Sequence, residues 1–369
     1  MSAMKVVIRT DASLEIGSGH VMRCLTLATA LRKAGADVSF ICRKSAGDAC
    51  ARIGAMGFAV WRLPGGIQDG PATDKPPHAR WLGTDWKTDA TLTAKALAAV
   101  PRANWLVVDH YALDENWESF MRNSATRIMV LDDLADRPHD CDLLLDQNFY
   151  RQQNNRYAGL IPLHCQQLLG PANALLRPEF AAARQHLRKR SGEVAQILVF
   201  FGASDLENAT LKTLRGMSLL DRKAIRLDVV LGVNHPDRAT VRDFCASMPQ
   251  CSCHDFVDDM AELMAAADLY IGAAGTTTWE RCCLGLPSLV ITVAENQAMA
   301  IRDLEQAEAM RILGASAEVS AEKIMRAVQD VLNTPDKLMT YSRVSMNLVD
   351  GLGTQRVIDA MHDKHEKAL

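Results

Sequence analysis

No apolar run in these 369 residues approaches the length needed to cross a bilayer, so a membrane span is not expected. Near the start only Val6-Val7-Ile8 is continuously apolar, too short for the core of a signal peptide, and a cytoplasmic location is the expectation. An excess of one charge is also missing. Lys and Arg number 41 against 44 Asp and Glu, a formal net charge of −3, and the basic stripe that marks a nucleic-acid binder is absent. The ten cysteines are scattered, mostly within apolar patterns (Cys24, Cys42, Cys245, Cys282, Cys283), which suits reduced, core-filling thiols better than a disulfide framework. Cys251-Ser-Cys253-His254 has no second ligand pair at structural-zinc spacing, so neither a metal nor another cofactor is expected. Two nucleotide fingerprints are missing too. Gly17-Ser-Gly19-His-Val-Met22 carries Met where a dinucleotide loop needs a third Gly, and Cys42-Arg43 stands where an acidic residue would close the second strand. No Gly-Lys-Ser/Thr of a Walker loop occurs.

What is present is a repeated alternation of short β runs and helical stretches. The length fits two domains of roughly 150–200 residues each. Lys5–Arg9, Asp37–Cys42, Phe58–Trp61, Trp105–Asp109, Arg127–Asp132 and Asp142–Asp146 read as strands, with helices from His20, over Asp48–Met56 and around Asp85–Val100. This is the signature of an α/β fold with a parallel, doubly wound sheet. Pro64 to Pro77 reads as a surface loop. Gly170 to Gly192 holds no strand and reads as the crossing between domains, with His186-Leu-Arg-Lys-Arg190 as a solvated helix face. The pattern restarts at Gln196–Phe201, Leu227–Leu231, Asp268–Ile271 and Pro287–Val293. The expectation is two doubly wound domains with a cleft between them: 1–170, a crossing over 171–194, then 195–352.

The first β–α turn carries the strongest chemical signal. Gly17 and Gly19 let backbone approach a ligand and leave N–H groups free at the start of a helix with the inner stripe Val21, Leu25, Ala28 and Leu31. His20 falls on the first helical turn, where an imidazole can remove a proton at neutral pH. Arg23 follows one turn later, suited to a carboxylate, a phosphate oxygen or a structural pairing. Asp109-His110-Tyr111 closes a later strand at the edge where open α/β sheets bind ligands. Tyr111 either offers its hydroxyl to a substrate or caps the sheet. Asp132-Asp133 reads as a turn cap.

In the second half, Gly275-Thr276-Thr277-Thr278 lies between a strand and a helix, where N–H and hydroxyl groups can receive a diphosphate. Glu280, one turn in, is placed for a ribose diol, although a Thr N-cap with a first-turn Glu is also ordinary helix chemistry. Asp255-Phe256-Val257-Asp-Asp-Met260, Glu295-Asn296-Gln297 and Gly202-Ala203-Ser204 fall at the same sheet edge.

Taken together, these segments resemble a known family. His254 to Gln297 is similar to the nucleotide-sugar half of the MurG-type GT-B glycosyltransferases. Arg9-x-Asp11 with Ile16-Gly-x-Gly-His-x-x-Arg23 narrows the resemblance to the PseG-type UDP-2,4-diacetamido-2,4,6-trideoxy-β-L-altropyranose hydrolases of pseudaminic acid biosynthesis. The resemblance implies a GT-B fold, two Rossmann-like domains facing a central cleft, with a C-terminal helix (353–369) that in such folds packs back on the first domain. It implies that water takes the glycosyl group, with C–O cleavage, inversion and no metal, and that His20 is the general base. Asp11, Gly17, Ser18, Gly19, Arg23, Tyr111, Asn296 and Gln297 would then contact substrate; apart from the resemblance, the place of Asp11 at a strand end suits it to orient the ring or the water. Gly202, Ala203, Ser204, Phe256, Val257, Met260, Gly275, Thr276, Thr277, Thr278 and Glu280 would hold UDP. A UDP-sugar is the expected small-molecule partner. The rival readings are a glycosyltransferase with a sugar or lipid acceptor and a nucleotide-sugar binding protein without catalysis.

Overall fold

The computed structural model describes residues 3–66, 76, 78–98, 102–203, 205–220, 224–232, 234–255, 257, 259–292 and 295–366, with the side chains of 295–300 and 364–366 outside that set. The chain forms two compact units. Met1–Asn148, Gln152–Leu175 and Gly353–Leu369 make the first, and Phe149–Arg151 with Leu176–Leu352 the second.

The first unit is a seven-stranded sheet in which every pairing is parallel. Its strands are β1 (Lys5–Thr10), β2 (Asp37–Arg43), β3 (Ala59–Leu63), β4 (Ala103–Asp109), β5 (Ala125–Leu131), β6 (Leu143–Asp146) and β7 (Gln166–Leu169), in the order β3-β2-β1-β4-β5-β6-β7. Val6, Val7 and Ile8 are buried because a central parallel strand is covered on both faces. The helix Gly19–Lys33 packs Val21, Leu25, Ala28 and Leu31 into the core, all at 2% exposure or less. Truncating Leu25 there should cost about 2–5 kcal/mol. The C-terminal helix Gly353–Glu366 adds Val357, Ile358 and Met361 to the same core, and the Trp105 indole donates to the Met361 carbonyl at 3.2 Å. Asp132 does cap a turn, accepting from the Ala135 amide at 2.8 Å.

The second unit is a six-stranded sheet, also parallel in every pairing: β8 (Gln196–Phe200), β9 (Arg226–Val230), β10 (Cys251–His254), β11 (Leu269–Ala273), β12 (Ser288–Thr292) and β13 (Arg311–Ala315), in the order β10-β9-β8-β11-β12-β13. Cys251–His254, weighed above as a metal fragment, is an edge strand, and His254 Nε2 faces Asp228 at 2.9 Å. The expected helix face at His186–Arg190 is a correction. The helix ends at Gln185, so the run is not a helix face; Arg188 and Lys189 stay exposed, as a solvated run would, while Arg190 is half-buried. Arg190 donates to the carbonyls of Met264, Ala267 and Leu284, and Arg188 to Ala266 and Asp268. The helix Met260–Ala266 leaves its last carbonyls without partners of their own, and guanidinium donors satisfy them. Burial, together with the nearby Arg188, lowers Arg190 to about 10.

Candidate functional site

In the first sheet the strand order reverses between β1 and β4, the point at which open α/β sheets bind ligands. Thr10, the last residue of β1, pairs in register with Asp109, the last of β4. The turn that follows β1 therefore delivers its helix beside the Asp109 carboxylate. In that turn Ser13 and Gly17 form a bridge, with the Gly17 amide donating to the Ser13 carbonyl at 2.9 Å. Gly17 has φ +75° in open space, so the backbone conformation is what calls for glycine there. Ser18 holds the N-cap position with its hydroxyl uncommitted to the cap, and Gly19 is the first helical residue.

His20 Nδ1 lies 2.5 Å from Asp109 Oδ1. Arg23 grips the same carboxylate with two bonds of 2.7 Å, Nε to Oδ2 and Nη2 to Oδ1, and reaches Asp133 with Nη1 at 3.0 Å. Burial alone would raise the Asp109 carboxyl, but the Arg23 guanidinium and then His20 hold it well below the usual carboxylate range. An ionised carboxylate only accepts, so the His20 proton sits on Nδ1 and the Nε2 lone pair points away from the pair. No described residue bonds Nε2, and His20 retains 8% exposure, enough for a small molecule to meet the ring edge. An imidazole held in this way can accept a proton at Nε2.

Tyr111 packs edge-on against His20 with ring centroids 4.5 Å apart. Burial, reinforced by Asp133, raises its phenol well above the ordinary value, so it stays a neutral hydroxyl. Asp11 does not take the orienting role expected of it. Its carboxylate accepts from Arg9 Nη1 and from the Arg43 amide, both at 2.6 Å, and faces His110 Nε2 at 3.4 Å. Asp11 is 3% exposed and committed to a buried network with Arg9, Arg43 and Asp89, which leaves the orienting position to Asp109. Sequence reasoning placed Asp109 at the right edge but missed its partnership with His20 and Arg23. The one signal for it is the β1–β4 adjacency usual in doubly wound sheets, which sequence periodicity does not carry.

The second sheet reverses between β8 and β11, and the described residues among those expected to hold UDP follow the C-terminal ends of β8, β10 and β11. Gly202 follows β8 with φ +90°; it and Ala203 are half-buried, and the Ala203 carbonyl takes the Asn234 amide at 2.9 Å. Gly275 and Thr276 are exposed at the end of β11, Thr277 is half-buried and Thr278 is buried. Arg281, a residue the sequence reading passed over, stiffens this turn. It donates to the Ala273 carbonyl at 2.9 Å, to Thr278 Oγ1 at 3.1 Å and to Thr277 Oγ1 at 3.4 Å, with its guanidinium 4.2 Å from the Tyr270 ring centre. Arg281 thus engages the Thr277 and Thr278 hydroxyls, and Thr276 is the exposed threonine of the three. Glu280 meets Arg177 at 3.5 Å, and burial raises its carboxyl despite that partner. Val257 and Met260 are half-buried beyond β10. Ser204, Phe256 and most of the Pro64–Pro77 loop lie outside the described residues, as do the side chains of Asn296 and Gln297 on the helix Glu295–Gln306.

Residues 196–355 match the Glycosyltransferase family 28 C-terminal domain. The chain is 25% identical to the UDP-2,4-diacetamido-2,4,6-trideoxy-beta-L-altropyranose hydrolase of Campylobacter jejuni over 80% of its own length and 93% of that protein. It is 28% identical to the spore coat polysaccharide biosynthesis protein SpsG of Bacillus subtilis over 54% of its length. That match spans 59% of SpsG, and a Methanocaldococcus jannaschii protein, 25% identical over 80% of this chain, is matched over 57% of its own length. Among solved structures, MurG of Acinetobacter baumannii superposes with a TM-score of 0.68 at 13% identity, covering 98% of this chain and all of that one. The fold is therefore of the GT-B type, and the chain is similar to a UDP-2,4-diacetamido-2,4,6-trideoxy-beta-L-altropyranose hydrolase, in keeping with the resemblance drawn from Arg9–Arg23 and His254–Gln297.

Proposed function

We propose that the protein hydrolyses UDP-2,4-diacetamido-2,4,6-trideoxy-β-L-altropyranose to the free sugar and UDP, a step of pseudaminic acid biosynthesis. The observation that carries this reading is the His20–Asp109–Arg23 constellation, together with the similarity to the Campylobacter hydrolase. His20 Nε2 removes a proton from water as the water oxygen bonds to the anomeric carbon. The bond from that carbon to the diphosphate oxygen breaks, its electron pair leaves with UDP, and the configuration inverts. Asp109 holds the ring in the tautomer that leaves Nε2 free, and it stabilises the imidazolium that forms. Arg23 fixes the carboxylate, so the dyad needs no rearrangement during the step. Gly17, Ser18 and Gly19 supply close backbone approach and free N–H groups beside the sugar. Gly202–Ser204, the Gly275–Thr278 turn and Glu280 hold the nucleotide, with Asn296 and Gln297 on the substrate.

The family 28 domain match also fits transfer to a sugar or lipid acceptor. Incubation of the purified protein with a panel of UDP-diacetamido-trideoxy sugars, followed by NMR with and without added acceptors, separates the two. Free sugar of inverted anomeric configuration without an acceptor is the expected result. UDP release only in the presence of an acceptor would overturn hydrolysis in favour of transfer.

A further inference from the structure

We propose that Trp81 and His78, together with Tyr111, form an aromatic wall that selects the deoxygenated, acetylated face of the sugar; the inference rests on the hydrolase reading above. In a chain with 5% aromatic residues, four rings run in continuous contact to the base. His78 and Trp81 lie 4.4 Å apart between centroids, Trp81 stacks on Tyr111 at 5.7 Å, His78 meets Tyr111 at 5.4 Å, and Tyr111 abuts His20 at 4.5 Å. Tyr111 is buried, whereas His78 and Trp81 are half-buried and keep ring surface open. The single polar atom of Trp81 is already used, its Nε1 donating to Glu15 Oε1 at 3.0 Å. What the indole offers a ligand is therefore its face. Burial lowers the His78 imidazole below its ordinary value, so at neutral pH it too presents an uncharged ring.

The wall is held firmly. It stands on the short 3-10 turn Ala79–Leu82, whose Leu82 is buried in the core of the first unit. Gly83 ends the turn with φ +66°, and a Cβ on Gly66 would lie 2.2 Å from the Gly83 carbonyl, so the two backbones meet where only glycine fits. Arg43 ties the strand side down by donating to the Pro64 carbonyl at 2.7 Å. Glu15 links the wall to the very loop that delivers His20, through Trp81 and through Arg80 at 2.9 Å, the latter an exposed pair of small energetic weight.

A sugar with a methyl group at C6 and two acetyl methyls presents C–H groups that pack on ring faces. A sugar carrying a 6-hydroxyl would press an unpaired polar group against the same surface. The wall thus distinguishes the two classes without a dedicated hydrogen bond.

The test uses the full-length protein and the variants Trp81→Ala, His78→Ala and Trp81→Phe. Steady-state KM and kcat are measured for the UDP-diacetamido-trideoxy sugar and for UDP-N-acetylglucosamine, alongside inhibition by UDP. Saturation-transfer NMR on free 2,4-diacetamido-2,4,6-trideoxyhexose follows its methyl signals. The alanine variants should raise KM for the trideoxy substrate about 3- to 10-fold, more than they alter kcat, and narrow the preference over the 6-hydroxyl sugar by a similar factor. UDP inhibition should hold, Trp81→Phe should recover most of the loss, and methyl saturation should fade in the alanine variants. Unchanged KM and preference, or weakened UDP inhibition, would overturn the wall. If the wild type turns over no UDP-sugar yet saturates the methyl signals in a Trp81-dependent way, the hydrolase reading falls and the wall stands. Absence of saturation in the wild type removes the wall whatever the turnover.

Discussion

Replacing Asp109 by Asn tests the dyad at its most exacting point. The carboxylate accepts from His20 Nδ1 at 2.5 Å and from two Arg23 nitrogens at 2.7 Å, and Cys24 Sγ lies 3.4 Å away. Every partner is a donor, and an amide can turn only one oxygen toward them. If the oxygen stays on Arg23 Nε, the amide NH2 faces His20 Nδ1 and drives the proton to Nε2, where it blocks the base. If the oxygen faces His20, N–H meets N–H at Arg23. In a triad a wrong tautomer of this kind costs about 10⁴ in kcat, and a loss of about 10³–10⁴ is expected here, or roughly 4–5.5 kcal/mol of barrier. Breaking a buried ion pair also destabilises by about 3–5 kcal/mol, which the surviving Arg23–Asp133 contact at 3.0 Å should moderate. Thermal melting and UDP affinity must therefore accompany the assay. His20→Ala is the matched control: the Asp109–Arg23 pair remains, Tm stays near the wild type, and kcat falls by about 10²–10⁴. The double variant should be no slower than the worse single one, because the two residues act as a unit. A folded, UDP-binding Asp109→Asn enzyme with near-normal kcat would refute the oriented-base argument.

Other perturbations reach different parts of the account. Glu280→Ala should weaken UDP binding about 10- to 100-fold, in the range of a lost charge-assisted hydrogen bond, with less effect on saturated turnover; equal losses in both would place Glu280 in the chemical step instead. Burial, with the Asp133 carboxylate nearby, raises Asp146 from its ordinary 3.8 to about 7. The folded chain then holds that proton more tightly than the unfolded one, so its contribution to stability is full below about pH 4, declines as pH rises and is gone above about pH 7. Asp146→Asn should flatten Tm across this window, removing a dependence of up to about 4 kcal/mol; an unchanged slope would show that other groups set it.

The two β/α repeats are legible in the chain because buried parallel strands such as Val6–Ile8 and Gln196–Phe201 are continuous apolar runs between turn residues. Three strands, Gln166–Leu169, Cys251–His254 and Arg311–Ala315, escape notice because their side chains are mostly only half-buried and carry no such run. The glycine turn and His20 are equally plain, since a local motif carries them. The partner of His20 is not local. Asp109 lies 89 residues away and reaches His20 only because β1 and β4 are neighbours, an order that periodicity does not encode. The same holds for Arg177 against Glu280 and for Trp81 against Tyr111, where nothing in the surrounding sequence marks the contact. Asp11 shows the opposite hazard. A carboxylate two residues after a buried arginine looks catalytic in a motif, yet it neutralises that arginine within the core.

The central claim is that His20 directs water to the anomeric carbon, and the most direct measurement is the fate of oxygen. Hydrolysis of the UDP-sugar in ¹⁸O-water, read by mass spectrometry, should place the label in the free sugar and leave UDP unlabelled. Label in UDP would mean attack at phosphorus and would contradict the mechanism derived from this site.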